Sequence, residues 1–331
     1  MANSGIVCIF ADDKEMYNDL IQSIMTNENE DEKGKDEMMD VEIRERYVNP
    51  YTDFGFKKLF GTELNKDLLI SFLNALLHDK PDITDLTYLN SERLAEGRED
   101  RKAVFDVYCR LADNSHIIVE MQKSEQKYFK DRSIYYSTFP IRDQAPQGKW
   151  NYHLKDVYTV GLLSFTFPDN EYPSDSFLHE IKLKDVEDNH VFYDKLTFFY
   201  LEMPKFKKHE EELVTMFDKW MYALVNLTQL LERPKALQER IFTRLFEQAE
   251  IARFTPDERM DYVTSKKDYW DYYSTMKTSF DKGREEGLAE GHAEGRAERS
   301  VEIARSLKKK GLSTTDISEV TGLTAGDIAA L

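Results

Sequence analysis

Two carboxylates, Asp106 and Glu120, occupy matching positions in a stretch where apolar and polar residues alternate. Residues 103–123 read AVFDVYCRLADNSHIIVEMQK, in which both halves have the period of a strand and residues 113–115 have the composition of a turn. If an odd-length loop centred on Asp113 joins the two strands, the carboxylates lie opposite each other on one face, with Cβ atoms roughly 5 Å apart. An even-length loop would offset this pairing by one residue.

Carboxylates held this close repel each other, and a shared proton or a bound cation relieves the repulsion. A hard divalent ion such as Mg²⁺ takes one or two carboxylates, keeps several waters and binds substrate phosphate. Such an ion can activate a water for phosphodiester cleavage and can stabilise charge on the leaving oxygen. The alternative is that both side chains are solvated on the exposed face of a half-buried hairpin, where polar alternation is common.

The two carboxylates also belong to a longer pattern of motifs. TDFGFKKLFG at residues 52–61 precedes Asp106, and IVEMQ at residues 118–122 contains Glu120. In this order the motifs resemble those of the PD-(D/E)XK nuclease family transposases, or recombination-promoting nucleases, over about residues 46–280 and into the Gly-rich tail. The resemblance implies a restriction-endonuclease-like α/β fold and Mg²⁺-dependent hydrolysis of DNA in recombination or transposition, with Mn²⁺ as the alternative ion.

The resemblance further implies roles for individual residues. Asp106 and Glu120 would bind the metal, the Met121 carbonyl would be a further ligand, and Asp53 would point toward the site. From its position alone, Asp53 has an equally good interpretation as the N-cap of a helical segment at residues 54–60.

The position of the family's usual lysine is occupied by Gln122, as in related members. An uncharged glutamine can orient the attacking water but supplies no cation. Lys102 and Lys123 are nearby replacements, although strand parity assigns neither of them. These residues leave two functions open: an active endonuclease, or a nuclease-like fold that has lost cleavage and acts as a binding or assembly module.

Composition limits the class of protein. The 331 residues are 41% hydrophobic, enough for a substantial core, and the formal net charge is −17. That charge argues against a general nucleic-acid binder, because such binding depends on Lys and Arg that neutralise phosphates. Residues 1–40 carry −8 of it, from eleven acidic residues and three lysines, so the remainder carries −9. DNA binding would therefore need a local basic cleft.

Compartment and membrane association follow from the same composition. The apolar opening run at residues 5–10 is too short to span a bilayer and lacks the features of a signal peptide, so we expect a cytoplasmic protein with no membrane partner. Cys8 and Cys109 are the only cysteines, which makes a disulfide framework unexpected.

Periodicity predicts a mixed sheet with helices on its faces, an α/β fold. We expect a helix over residues 65–78, a strand over 85–93, the carboxylate hairpin, a helix from Tyr128 that Pro140 ends, and strands at 157–167 and 195–203. The sequence Thr255-Pro256-Asp257-Glu258 is a capping box with proline at the first helical position, so a long helix should begin there. Aromatic residues on the helix before Pro140 are most often core; contact of Arg132 or Tyr136 with phosphate is the minority alternative. The predicted segments are a disordered acidic segment (1–44), a nuclease-like core (45–204), a helical accessory region (205–282), a Gly-rich charged helical linker (283–300) and a helix-turn-helix-like unit (301–331).

The C-terminal segments suggest protein contacts rather than base recognition. Glycines spaced four apart in residues 283–295 could allow close helix approach in a homo-oligomer, but glycine disfavours helix and no apolar seam accompanies it. We therefore expect a frayed, solvated helix there. The last helical segment, residues 325–331, has no Arg, Lys, Asn or Gln with which to read bases.

We predict that residues 283–331 are dispensable for the fold of the core, because their composition gives them little to bury. Truncation after Phe280 should leave the thermal unfolding midpoint of the core nearly unchanged, as measured by circular dichroism. An unfolded product, or a large drop in the midpoint, would show that the tail stabilises the core or holds an oligomer together.

Overall fold

A computed structural model describes residues 45–89, 92–93, 103–145, 148–168 and 175–331, with only the backbone at 92–93 and 103–104. The predicted disordered segment at residues 1–44 and the candidate Lys102 lie outside these residues. No helix within the described ranges combines the length and the apolar character needed to cross a bilayer.

The described strands are β1 (Leu86–Tyr88), β2 (Glu92–Arg93), β3 (Ala103–Val104), β4 (Val107–Leu111), β5 (His116–Gln122), β6 (Val157–Leu163), β7 (Leu178–Lys184) and β8 (Val191–Glu202). Six of them form a mixed sheet with the order β1-β4-β5-β6-β8-β7, while β2 and β3 form a separate antiparallel pair. The neighbours β5, β6 and β8 run parallel, and the other pairs are antiparallel.

Helices cover the sheet and continue beyond it, which confirms the predicted α/β class. They are α1 (Asp53–Phe60), α2 (Lys66–Leu76), α3 (Phe129–Asp143), α4 (Met216–Asn226), α5 (Arg240–Ala249), α6 (Pro256–Lys309), α7 (Thr314–Thr321) and α8 (Ala325–Ala330). As predicted from the Thr255-Pro256-Asp257-Glu258 sequence, α6 begins at Pro256, and Thr255 and Glu258 bond each other's backbone N–H.

The two faces of the sheet bury different clusters. Odd-numbered residues of β4 and β5, such as Val107 and Val119, join a large core with α1, α2, α4 and α5. Trp220 of α4 is fully buried there, with its ring centroid 5.9 Å from that of Phe60. The opposite face is covered by α3, which packs through two smaller aromatic clusters. Since side chains alternate across a strand, β5 separates these clusters by parity.

Contacts divide the chain into two units, one that ends at Lys267 and one that spans Asp268–Leu331. In the second unit, Ala304, Ile317 and Ile328 form a small buried cluster. Its short helices are capped by Ser313 and Thr324, which accept hydrogen bonds from backbone N–H groups of their own first turns. The finer division into five segments stays a prediction.

Several elements differ from those predicted. The strand expected within 85–93 is two short strands in different ladders, and β7 was not predicted because its alternation is interrupted by charge at an edge. Helix α3 does not end at Pro140 but continues to Asp143. Proline removes one N–H, but the buried side chains of Phe139 and Pro140 hold the last turn against the rest of the protein.

We predict that Gly55→Ala destabilises the first unit. A Cβ atom at Gly55 would lie 2.0 Å from the Asn49 carbonyl oxygen and 2.8 Å from Thr52 Oγ1. The Gly55 N–H donates to that same Thr52 hydroxyl, so the helix start must shift to make room. We expect a loss of about 1–3 kcal/mol in the free energy of unfolding, measured by denaturant titration with tryptophan fluorescence.

Gly291→Ala is the matched control, since nothing lies within 4 Å of a Cβ there. That change should be neutral or should favour helix by up to about 1 kcal/mol. Equal midpoints for wild type and Gly55→Ala would contradict the close backbone approach.

Candidate active site

The hairpin formed by β4 and β5 has the predicted register. Val107 pairs with Val119 and Arg110 pairs with His116, so the loop is centred on Asp113. Asp113 stabilises the turn by accepting hydrogen bonds from the Ser115 N–H at 2.9 Å and from its hydroxyl at 2.8 Å. This register places Asp106 one step beyond the last pair, opposite Glu120.

Asp106 itself lies at a bend rather than in a strand, so the continuous first strand expected from Ala103 was wrong. Its Oδ2 accepts a hydrogen bond from the Met121 backbone N–H at 2.7 Å. The carboxylate thus takes the place of a backbone acceptor where the ladder stops. A strand residue directs its N–H and C=O toward the same neighbour, so the Met121 carbonyl is directed toward the β4 side as well.

Glu120 carries a buried oxygen, Oε1, that accepts no hydrogen bond from any residue within the described part of the chain. Burial and then the negative charge of Asp106 raise the pKa of Glu120 to about 8, against the opposing effects of the Arg132 guanidinium and the Asp106 backbone N–H. Burial also raises the pKa of Asp106, although its bond from Met121 favours the charged form. Both carboxylates are therefore costly to ionise together without a cation.

Asp53 lies in the first turn of α1, with Lys57 one turn later. Thr52 is the N-cap and accepts from the Gly55 N–H at 3.0 Å, so the N-cap interpretation of Asp53 was wrong. Asp53 is half exposed and forms an ion pair with Lys57 at 2.9 Å. The Asp53 charge raises the pKa of Asp106 and the Lys57 charge lowers it, which places both near the carboxylate pair.

Gln122 is buried, with hydrogen bonds at both ends of its amide. Its Oε1 accepts from Arg132 Nη2, and its Nε2 donates to the Ser124 carbonyl at 3.0 Å. Both ends of the Gln122 amide therefore bond protein groups rather than a water. Lys123, the other candidate cation, lies next along the chain, and its charge lowers the pKa of Asp106.

Arg132 is the site residue that the motifs did not select. It lies in the first turn of α3, and the strand residue that it contacts is ten positions earlier in the sequence. The helical pattern of its segment gave Arg132 only as a minority phosphate contact. Its guanidinium carbon lies over the Tyr136 ring, 5.7 Å from the centroid.

The donor set fits a hard divalent cation. Two carboxylates lie opposite each other, one carboxylate oxygen is buried without a partner among the described residues, and a backbone carbonyl is directed toward the β4 side. No cluster of three or more His, Cys, Asp or Glu suited to a metal is found among the residues that the structure describes. Two carboxylates suffice for Mg²⁺, which completes its shell with waters and phosphate.

Comparison with known proteins confirms the family resemblance. The family model for the PD-(D/E)XK nuclease family transposase matches residues 50–279, which include both carboxylates, α1 and α3. No curated protein and no solved structure matches the chain.

We predict that the stability of the metal-free protein falls as pH rises from about 5 to 8. Because the folded-state pKa of Glu120 lies above its ordinary value of 4.5, the folded state holds a proton that the unfolded chain releases in this window. The contribution is largest below pH 4.5 and is lost as pH rises through 8, at up to about 1.4 kcal/mol per pH unit. Urea titrations at several pH values in EDTA would measure this slope.

Glu120→Gln should remove most of that slope, because glutamine does not titrate. Exposed Glu187→Gln is the control and should retain it. Parallel slopes for wild type and Glu120→Gln would contradict the assigned burial of this carboxyl group.

Proposed function

Because the chain belongs to the PD-(D/E)XK nuclease family transposases, we propose that it is a metal-dependent DNA endonuclease that acts in recombination or transposition. The observation that carries this proposal is the buried, unpartnered Glu120 Oε1 beside Asp106. A carboxylate pair of this kind destabilises the protein when both members ionise, and such sites are typical of functional positions. A structural role alone would favour an apolar residue at position 120.

Asp106, Glu120 and the Met121 carbonyl would hold the metal, Mg²⁺ or alternatively Mn²⁺. When bound, such an ion lowers the pKa of a coordinated water and stabilises charge on the leaving oxygen. The protein's contribution is positional. The Met121 N–H fixes Asp106 by a 2.7 Å hydrogen bond, and the ladder of β4 and β5 fixes Glu120 opposite it.

Local charge supports DNA as the substrate despite the acidic composition. Residues 123–132, from the end of β5 into α3, contain four Lys or Arg and two Asp or Glu, a net of +2. They directly follow Gln122 in the sequence, and Arg132 bonds that residue. A basic segment at the site can contact phosphates while the net charge of the protein elsewhere stays negative.

The second candidate is a nuclease-like fold without cleavage that serves as a binding or assembly module. The observation that favours it is Gln122, which replaces the cation expected at that position and has both ends of its amide bonded within the protein. The two candidates differ in one measurable property, metal-dependent hydrolysis.

We predict that Asp106→Asn and Glu120→Gln each reduce cleavage of supercoiled DNA by several orders of magnitude, because each removes an ionised metal ligand. Cleavage by wild type should require Mg²⁺ or Mn²⁺ and should stop in EDTA. Folding should persist in both variants, since neutral side chains relieve the repulsion between two buried charges. Gel assays of nicked and linear products would measure the rates.

Glu187→Gln, an exposed acidic position distant in sequence, serves as the control and should cleave at the wild-type rate. Equal cleavage by wild type, Asp106→Asn and Glu120→Gln would assign the activity to another site or to a contaminant. Binding of DNA without hydrolysis by wild type would favour the second candidate.

A further inference from the structure

Gln122 on strand β5 supplies no cation, but Arg132 on the neighbouring helix α3 does. Arg132 Nη2 donates to Gln122 Oε1, and Arg132 Nη1 donates to Gln126 Oε1 at 2.5 Å. Both partners are neutral amides. Arg46 and Arg244, by contrast, pair with the carboxylates of Glu250 and Asp67.

The charge of Arg132 is therefore not neutralised locally. Within the described ranges no carboxylate oxygen is at ion-pair distance from its guanidinium, and the remaining contact is with the Tyr136 ring. A partly buried guanidinium held by amides and an aromatic ring is fixed in position and retains its full charge. It is also close enough to Glu120 to favour the ionised form of that carboxyl group.

Packing of α3 on the sheet fixes the backbone of Arg132. The adjacent Ser133 hydroxyl accepts a 2.8 Å hydrogen bond from the Tyr200 hydroxyl of β8, and both groups are buried. One turn earlier, the ring of Phe129 lies 5.4 Å from that of Tyr200. Phe129 and Ser133 therefore fix the helix turn that carries Arg132 to the sheet on both sides of this residue.

We propose that Arg132 is the catalytic cation of this site and contacts the phosphate group that is cleaved, while Gln122 is a positioning residue that holds the guanidinium. This inference rests on the proposed endonuclease function and specifies how the site compensates for the absent lysine. Arginine suits the role because its planar group can bind two phosphate oxygens at once and stays charged at every relevant pH. Its charge stabilises the pentavalent phosphate as negative charge accumulates.

The test compares single-turnover cleavage rates and DNA binding for Arg132→Gln, Arg132→Lys and the double variant Gln122→Lys/Arg132→Gln. Arg142→Gln is the matched control, because Arg142 is exposed in the last turn of the same helix. We expect Arg132→Gln to lower the cleavage rate by about 10²–10³-fold, the usual effect of removing one donor to a developing anion, with DNA affinity changed less than fivefold. Arg142→Gln should cleave at the wild-type rate.

Rescue separates a catalytic charge from a structural contact. The double variant places an ammonium on the strand and should regain at least tenfold over Arg132→Gln, although it restores none of the bonds that Arg132 makes. If Arg132→Gln does not fold, Arg132→Lys replaces it; a lysine cannot hold both amides and bind phosphate, so its rate should fall at least tenfold.

The outcomes distinguish this inference from the proposed function. Cleavage by Arg132→Gln at the rate of Arg142→Gln, while Glu120→Gln is inactive, overturns the role of Arg132 and leaves the endonuclease intact. A lower rate for Arg132→Gln without rescue in the double variant also overturns it, in favour of a structural contact. No cleavage by wild type overturns both proposals.

Discussion

The hydrogen bond from the Met121 N–H to the Asp106 carboxylate determines the form of the candidate site. It occurs where the backbone ladder between β4 and β5 ends, and it replaces a carbonyl acceptor with a charged side chain. A buried N–H without an acceptor would be costly, so Asp106 contributes to the fold even before any ligand binds. The same bond holds the Asp106 carboxylate opposite Glu120. Burial and the negative charge of Asp106 then raise the pKa of Glu120.

Odd-numbered and even-numbered residues of β5 have different roles, because they lie on opposite faces of the sheet. Odd-numbered residues of β5 are buried in the large core under α1, α2, α4 and α5, while Glu120 and Gln122 belong to the even-numbered set on the face that α3 covers. A substitution at Val119 would therefore affect packing first, and one at Gln122 would affect the site first. Positions of opposite parity in one strand can thus be under different constraints.

The sequence was sufficient for the features that depend on local pattern. Alternation and the turn at Asp113 predicted the register of the hairpin, and the Thr255 capping box predicted the start of α6. It was insufficient where a side chain replaces a backbone partner, as Asp106 does, because the pattern of residues does not show the break in the strand. It gave Arg132 only as a minority phosphate contact, because the bond of Arg132 to Gln122 depends on how α3 lies over the sheet. It also offered Asp53 as a helix N-cap, a position that Thr52 occupies.

One row of residues across the sheet links Glu120 of β5, Gly161 of β6 and Tyr200 of β8. A methyl group at Gly161 would lie 3.0 Å from the Tyr200 ring, and the hydroxyl of that ring bonds Ser133 of α3. The size of residue 161 therefore sets how closely α3 can approach the sheet. A larger residue at position 161 would press on the Tyr200 ring and so on the helix that carries Arg132. The placement of Arg132 at the candidate site therefore depends on the size of a residue in a central strand.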